Sequence, residues 1–227
     1  LYEETGDAEL LAAAEAIFDD IVSKKLYITG GLGVCGTLES PSEPYDLPNY
    51  QAYAETCAAL AFALFCGRMS NLTGDARYGD AAERALYNGM LSGLSLDGEA
   101  FFYVNPLEID RSKRGARRLY QNVLEKDSTS GSVTLRETTR QKLFSCSCCP
   151  PNLSRMIPQL GGMIYGVRED RLFIHQYIAN RAALADGTVE LETSYPDSGR
   201  VTVRAGERKL ALRKPAWCRK FTASLPY

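Results

Sequence analysis

The sequence has one histidine, His175, one tryptophan and no run of eighteen apolar residues. Its longest apolar stretch, Ala58–Cys66, is far too short for a bilayer span, which needs about 20 residues. Neither sign of charge dominates: Lys+Arg 26 against Asp+Glu 28 leaves −2, so no overall field draws the chain to nucleic acid or to an anionic membrane. The first residues, Leu1-Tyr2-Glu3-Glu4-Thr5, lack the basic and apolar segments of a secretory signal, and there is no initiator methionine. The expectation is a fragment or processed chain of the cytoplasm. What is present, 45% hydrophobic and 24% charged residues in 227, excludes general disorder and suits one full domain or parts of two.

Seven cysteines, an odd number without an export signal, argue against a disulfide scaffold and for a reducing compartment. Cys146-Ser147-Cys148-Cys149 packs three thiols into four residues. Neighbouring side chains in a helix or strand point in different directions, so core packing seldom produces such a cluster; metal ligation or thiol chemistry more often does. The sequons at Asn71 and Asn152 are read as chance.

Organisation along the chain follows from apolar spacing. Leu10, Leu11, Ala14, Ile17, Phe18 and Ile21 form a helical stripe over 7–23, with Thr5 or Asp7 as the N-cap. Residues 24–49 are rich in glycine and proline, a loop length that is uncommon unless it serves a site. Helices are predicted over 53–71 and 77–89, joined by a turn at 73–75 in the αα-hairpin manner. Phe101–Val104 reads as a short strand, and 109–142 as a charged surface excursion whose basic cluster (Arg111, Lys113, Arg114, Arg117, Arg118) faces solvent. Pro150-Pro151 opens a helix with Leu153, Met156, Ile157 and Leu160 on its apolar face, ended by Gly161-Gly162. Beyond Met163 the period changes, and strands are predicted at 171–178, 189–194, 201–203 and 210–212. His175 falls in the first and reads as a strand residue, not a ligand.

Glu55 and Cys57 would diverge by roughly 200° inside a regular helix, from 3.6 residues per turn, but at a helix start both can face one point. The same holds for Cys148 and Cys149 before Pro150. These four would complete a tetrahedral zinc site, and a helix N-terminus favours thiolate. Spacing leaves a second reading open, in which Cys57 and Cys66 line a helix core and only the Cys146 cluster is special. Glu39 stands out among the carboxylates because the long loop carries it; Glu43, Asp46, Glu83 and Glu108 are other acid/base candidates.

Taken together, 27–33 (YITGGLG), 45–49 (YDLPN), 53–57 (YAETC), 87–89 (YNG), 94–98 (LSLDG), 102–105 (FYVN) and 146–152 (CSCCPPN) resemble glycoside hydrolase family 127, the β-L-arabinofuranosidase family. The resemblance implies an α+β multidomain chain: part of an (α/α)6 barrel over 1–162, then the start of a β-sandwich over 163–227. It also implies a zinc-dependent retaining exo-glycosidase acting on a terminal L-arabinofuranoside or related glycan. Carried over by position, the zinc ligands are Glu55, Cys57, Cys148 and Cys149, the nucleophile Cys148 and the acid/base Glu39. Glu83 and Tyr103 match positions that bind sugar or orient the cysteine.

An (α/α)6 barrel needs twelve helices, and the family's histidines resembling sugar-binding groups have no counterpart here. The expectation is therefore the C-terminal half of a catalytic domain, inactive alone, with the rest supplied by further sequence or a partner chain. A non-catalytic zinc-stabilised carbohydrate-binding or assembly module is the alternative; a thiol redox protein ranks below both, for want of a thioredoxin-like context.

Overall fold

A computed structural model describes residues 1–34, 40–50, 52–108, 139–144, 146 and 148–224. The chain forms two compact units, one of 1–61 with 84–153 and one of 62–83 with 154–227.

In the first unit, α1 (Tyr2–Thr5) stops at Gly6, which takes the left-handed conformation. The cap of α2 (Ala8–Asp20) is Asp7, whose carboxylate accepts from the Glu9 N–H at 2.9 Å. Winding continues past Asp20 as a π-helical turn, Ile21–Lys25. The wider turn brings residue i+5 under residue i, and Lys25 Nζ pairs with Asp20 at 2.6 Å. On α2 Phe18 is buried but Ile17 is 57% exposed, so only part of the predicted stripe is covered.

The second predicted helix begins later than its apolar pattern suggests. Tyr53 and Ala54 both donate their N–H to the Gly33 carbonyl, Ala54 takes a positive φ of 39°, and α3 runs Thr56–Thr73. After α4 (Ala76–Arg84), a π-helical turn Ala85–Met90 replaces the end of the predicted third helix, followed by a 3₁₀ turn Leu91–Gly93. Gly30, at φ 82°, lies against this π turn; a Cβ there would stand 2.7 Å from the Ala85 backbone, so glycine is required. Phe101–Val104 makes single bridges in place of a regular strand: Phe101 with Leu94 and Gln141, Val104 with Glu55. The end of the predicted surface excursion thus returns to the body, where Arg140 donates to the carbonyls of Ser92 and Gly93. Its basic cluster lies outside the described residues.

The second unit holds two three-stranded sheets. One has the order β1 (Tyr165–Arg168), β2 (Arg171–Ile174), β6 (Lys209–Leu212), with β2 antiparallel to β1 and parallel to β6. The other is an antiparallel meander of β3 (Asn180–Leu184), β4 (Gly187–Thr193) and β5 (Val201–Arg204). Leu172 and Ile174, two apart on β2, face inward, as do Val189 and Leu191 on β4. Leu172 packs with Val189, and Ile174 with Leu191 and Tyr177, so alternate residues of the two sheets meet in two buried clusters, with Tyr165 and Val203 packed against both. Preceding them, α5 (Cys149–Gln159) buries Leu153 and Met156 and leaves Ile157 exposed. No helix among the described residues is long and apolar enough to cross a membrane.

His175 follows β2 directly and is 4% exposed. Its Nε2, like Oδ1 of Asn71, has no hydrogen-bond partner among the described residues. Burial, and then the nearby Arg213 guanidinium, push its pKa down to about 4. The unfolded chain takes up the proton near pH 6.5, well before the native state does. Stability is therefore full above about pH 6.5, falls as pH drops towards 4 and is level below that. The expected loss is roughly 3–4 kcal/mol, from about 1.4 kcal/mol per pKa unit. Urea midpoints between pH 7 and 4.5 check this: His175→Gln should show a shallower fall than the natural chain.

Candidate functional site

Four acidic donors from two distant stretches meet in the first unit. The sulfurs of Cys57, Cys148 and Cys149 and a carboxylate oxygen of Glu55 all lie within 4.8 Å of one another. Cys57 Sγ is 3.5 Å from Cys148 Sγ and 3.3 Å from Cys149 Sγ, and the latter two are 3.8 Å apart. Glu55 Oε1 accepts from Cys148 Sγ at 3.3 Å and from Cys149 Sγ at 3.9 Å.

Local folding explains how each pair is aimed. Glu55 pairs with Val104, the Thr56 N–H donates to the Tyr103 carbonyl at 3.0 Å, and the Thr56 hydroxyl donates to the Phe102 carbonyl at 2.7 Å. The Asn105 side-chain amide then donates to both Ala54 O and Thr56 Oγ1, each at 3.0 Å. These bonds pin 54–56 before α3 starts, which lets Glu55 and Cys57 face the same point, as the helix-start argument requires. On the other side Cys149 is the first residue of α5, with Cys148 just ahead of it.

Tyr103 stands over the cluster. Its hydroxyl is 3.0 Å from Cys148 Sγ and 3.4 Å from Cys146 Sγ, and its ring makes edge contacts with Tyr53 and Phe144. Asn152 approaches from α5, its Nδ2 donating to Cys57 Sγ at 3.1 Å. The electrostatics are crowded. Hydrogen bonds from Cys149 and Asn152, working against burial, bring the Cys57 thiol down to about 7. Burial pushes Cys148 up to about 12, and the hydrogen bond with Cys57, together with burial, holds Cys149 well above the usual thiol range. Cys148 and Cys149 therefore hold their protons unless a cation replaces them. A tetrahedral ion with about 2.3 Å bonds to sulfur needs its ligand atoms about 3.8 Å apart, near the separations seen. The donor set therefore fits a divalent metal.

The remaining predicted residues are placed as follows. Glu39 lies outside the described residues. Glu83 is in the second unit, nearly buried on α4, with both carboxylate oxygens engaged: one by Arg213, the other by the Tyr195 hydroxyl at 2.8 Å and Trp217 Nε1 at 3.1 Å. Two residues of the first unit were not singled out from sequence, Asn105 and Asn152. Each closes a motif otherwise read for its neighbours, and Asn152 also heads a sequon read as chance.

Residues 1–162 match the family described as β-L-arabinofuranosidase, GH127 catalytic domain, and 171–226 match the GH127 middle domain. A non-reducing end β-L-arabinofuranosidase of Bifidobacterium longum subsp. longum is 34% identical over 94% of this chain and 32% of its own length. The crystal structure of a GH127 β-L-arabinofuranosidase from Geobacillus stearothermophilus T6 superposes with a TM-score of 0.80 at 40% identity, covering 96% of this chain and 34% of that one. Another GH127 β-arabinofuranosidase structure gives 0.76 at 39% identity, over 95% and 31%. The chain thus spans about a third of the length of these relatives. Its mixed helices and two small sheets match theirs, and the chain belongs to glycoside hydrolase family 127.

Proposed function

We propose that this chain carries the metal and nucleophile centre of a zinc-dependent retaining exo-glycosidase that removes terminal L-arabinofuranose, most specifically the β-linked sugar. The observation that carries the reading is the convergence of Glu55, Cys57, Cys148 and Cys149 on one point. Family membership supports it, as do the names of the relatives. Residues 1–162 are read as part of an (α/α)6 barrel and 163–227 as the beginning of a β-sandwich. The exposed Ile17 and Ile157 suit helix faces that further barrel helices cover, whether from the same polypeptide or a partner chain.

Those four residues would hold zinc, which when bound supplies positive charge that keeps the sulfurs deprotonated. Cys148 is assigned the nucleophile. It stands ahead of α5, half-buried, with the Tyr103 hydroxyl 3.0 Å away to orient its sulfur. Its Sγ attacks the anomeric carbon as the bond to the aglycone oxygen breaks, and Glu39 gives that oxygen a proton. Glu39, now a carboxylate, takes a proton from water as the water displaces sulfur. Two displacements at one carbon return the original configuration. Glu83 is assigned to sugar binding, where a hydroxyl would meet a carboxylate already fixed by Arg213, Tyr195 and Trp217.

The test uses the protein at the full length of its relatives, with an aryl β-L-arabinofuranoside. Retained stereochemistry is expected, with a loss of at least roughly 1,000-fold in Cys148→Ala and about 100- to 10,000-fold in Glu39→Ala. Turnover surviving in Cys148→Ala would overturn the assignment. One zinc per chain without turnover in the natural full-length protein would favour a non-catalytic zinc-stabilised module.

A further inference from the structure

We infer that Asn152 is a positioning residue for the metal centre, holding Cys57 by an N–H···S bond that balances the negative charge of the donor set. The inference rests on the zinc reading above. Three thiolates and a carboxylate bring four negative charges against the two of a divalent ion, and such an excess is stabilised by hydrogen-bond donors aimed at the sulfurs. The sequence removes the usual source of those donors. Helix α5 begins Cys149-Pro150-Pro151-Asn152, and the two prolines of this first turn have no N–H to offer where helices leave theirs free. The backbone N–H of Asn152 is directed at Cys148 O, 3.4 Å away.

The side chain of Asn152 supplies what the backbone lacks. Its Nδ2 lies 3.1 Å from Cys57 Sγ while its backbone belongs to the same helix start as Cys148 and Cys149. One residue therefore ties the sulfur on α3 to the pair at the start of α5, across ninety residues of sequence. Tyr103 makes the corresponding contact to Cys148, so the outer donors are divided between two sulfurs. A hydrogen-bonded thiolate gives less charge to its metal, which suits Cys57 to a holding role.

The experiment measures metal binding in the protein at the full length of its relatives and in its Asn152→Ala and Asn152→Asp variants. The Asp variant keeps the shape of the side chain and replaces the N–H with a carboxylate oxygen. Zinc affinity, by competition with a chromogenic chelator, should fall about 10- to 100-fold in the Ala variant and further in the Asp variant. With Co2+ as the probe, the sulfur-to-metal charge-transfer band should move to longer wavelength in both, because an unbonded thiolate releases its electrons more readily. A purely structural residue would alter affinity without moving the band. Natural chain and variants binding within threefold of each other, or an unmoved band, overturns the role of Asn152. Failure of the natural chain to take up zinc or cobalt overturns the zinc reading.

Discussion

Replacing Cys149 with alanine is expected to weaken zinc binding by roughly 100-fold or more, while Cys66→Ala leaves it within about twofold. Both residues are fully buried cysteines in helices, so the contrast isolates chemistry from burial. Structural zinc sites bind with about 10–16 kcal/mol from four ligands, so each ligand is worth about 3 kcal/mol, or some 100-fold. Cys149 lies against two further sulfurs and a carboxylate; Cys66 lies further along α3, where burial alone raises its thiol. Ligand-dependent stabilisation follows the same division: added zinc should raise the unfolding midpoint of the natural chain and of Cys66→Ala, and hardly that of Cys149→Ala. Equal affinities in the two variants would show that the four donors do not act as a metal site.

The largest loss of stability is expected from Arg213→Met, about 3–5 kcal/mol. The Arg213 side chain is 2% exposed and lies between two acids, with Asp80 at 2.5 Å and Glu83 on its other branch. Its backbone carbonyl accepts from the Tyr177 hydroxyl, and Gly79 on α4 leaves room for its chain, since a Cβ there would stand 2.6 Å from Arg213 Cδ. Removing the guanidinium leaves two partly or wholly buried carboxylates without their counter-charge, which costs more than the pairs themselves contribute. Thermal unfolding should fall by on the order of 10 °C, at about 2–4 °C per kcal/mol for a chain of this size. Adding Asp80→Asn and Glu83→Gln to Arg213→Met should recover much of the loss. A triple variant no more stable than the single one would mean that packing, not charge, is what Arg213 supplies.

The sequence carried the helices and the grouping of Glu55, Cys57, Cys148 and Cys149 further than the strands. The N-cap at Asp7 and the turn at 73–75 are written in local side chains, and α2, α3 and α4 followed. The π turns after Asp20 and Arg84 were not legible, because apolar spacing does not register one extra residue in a turn. Two strands were missed for related reasons: β1 contains Gly166, and β3 is mostly small and polar, with Arg181 and two alanines. Each is a strand because its neighbour pairs with it, not because of its own pattern. Spacing alone could not choose between a zinc site and a helix core for Cys57, since the distance between stretches ninety residues apart is set by tertiary folding. Asparagines are ordinary in loops and helix starts, so neither the clamp at Asn105 nor the bond from Asn152 has a local signature.

The parallel pairing of β2 with β6 also constrains synthesis. β2 emerges from the ribosome before the whole β3–β5 meander, and until Lys209–Leu212 follow, one of its backbone edges has no mate. An open edge of this kind invites pairing with another chain. Nascent polypeptides are thus most at risk of association in that interval, and a stop codon ahead of Lys209 would make the interval permanent.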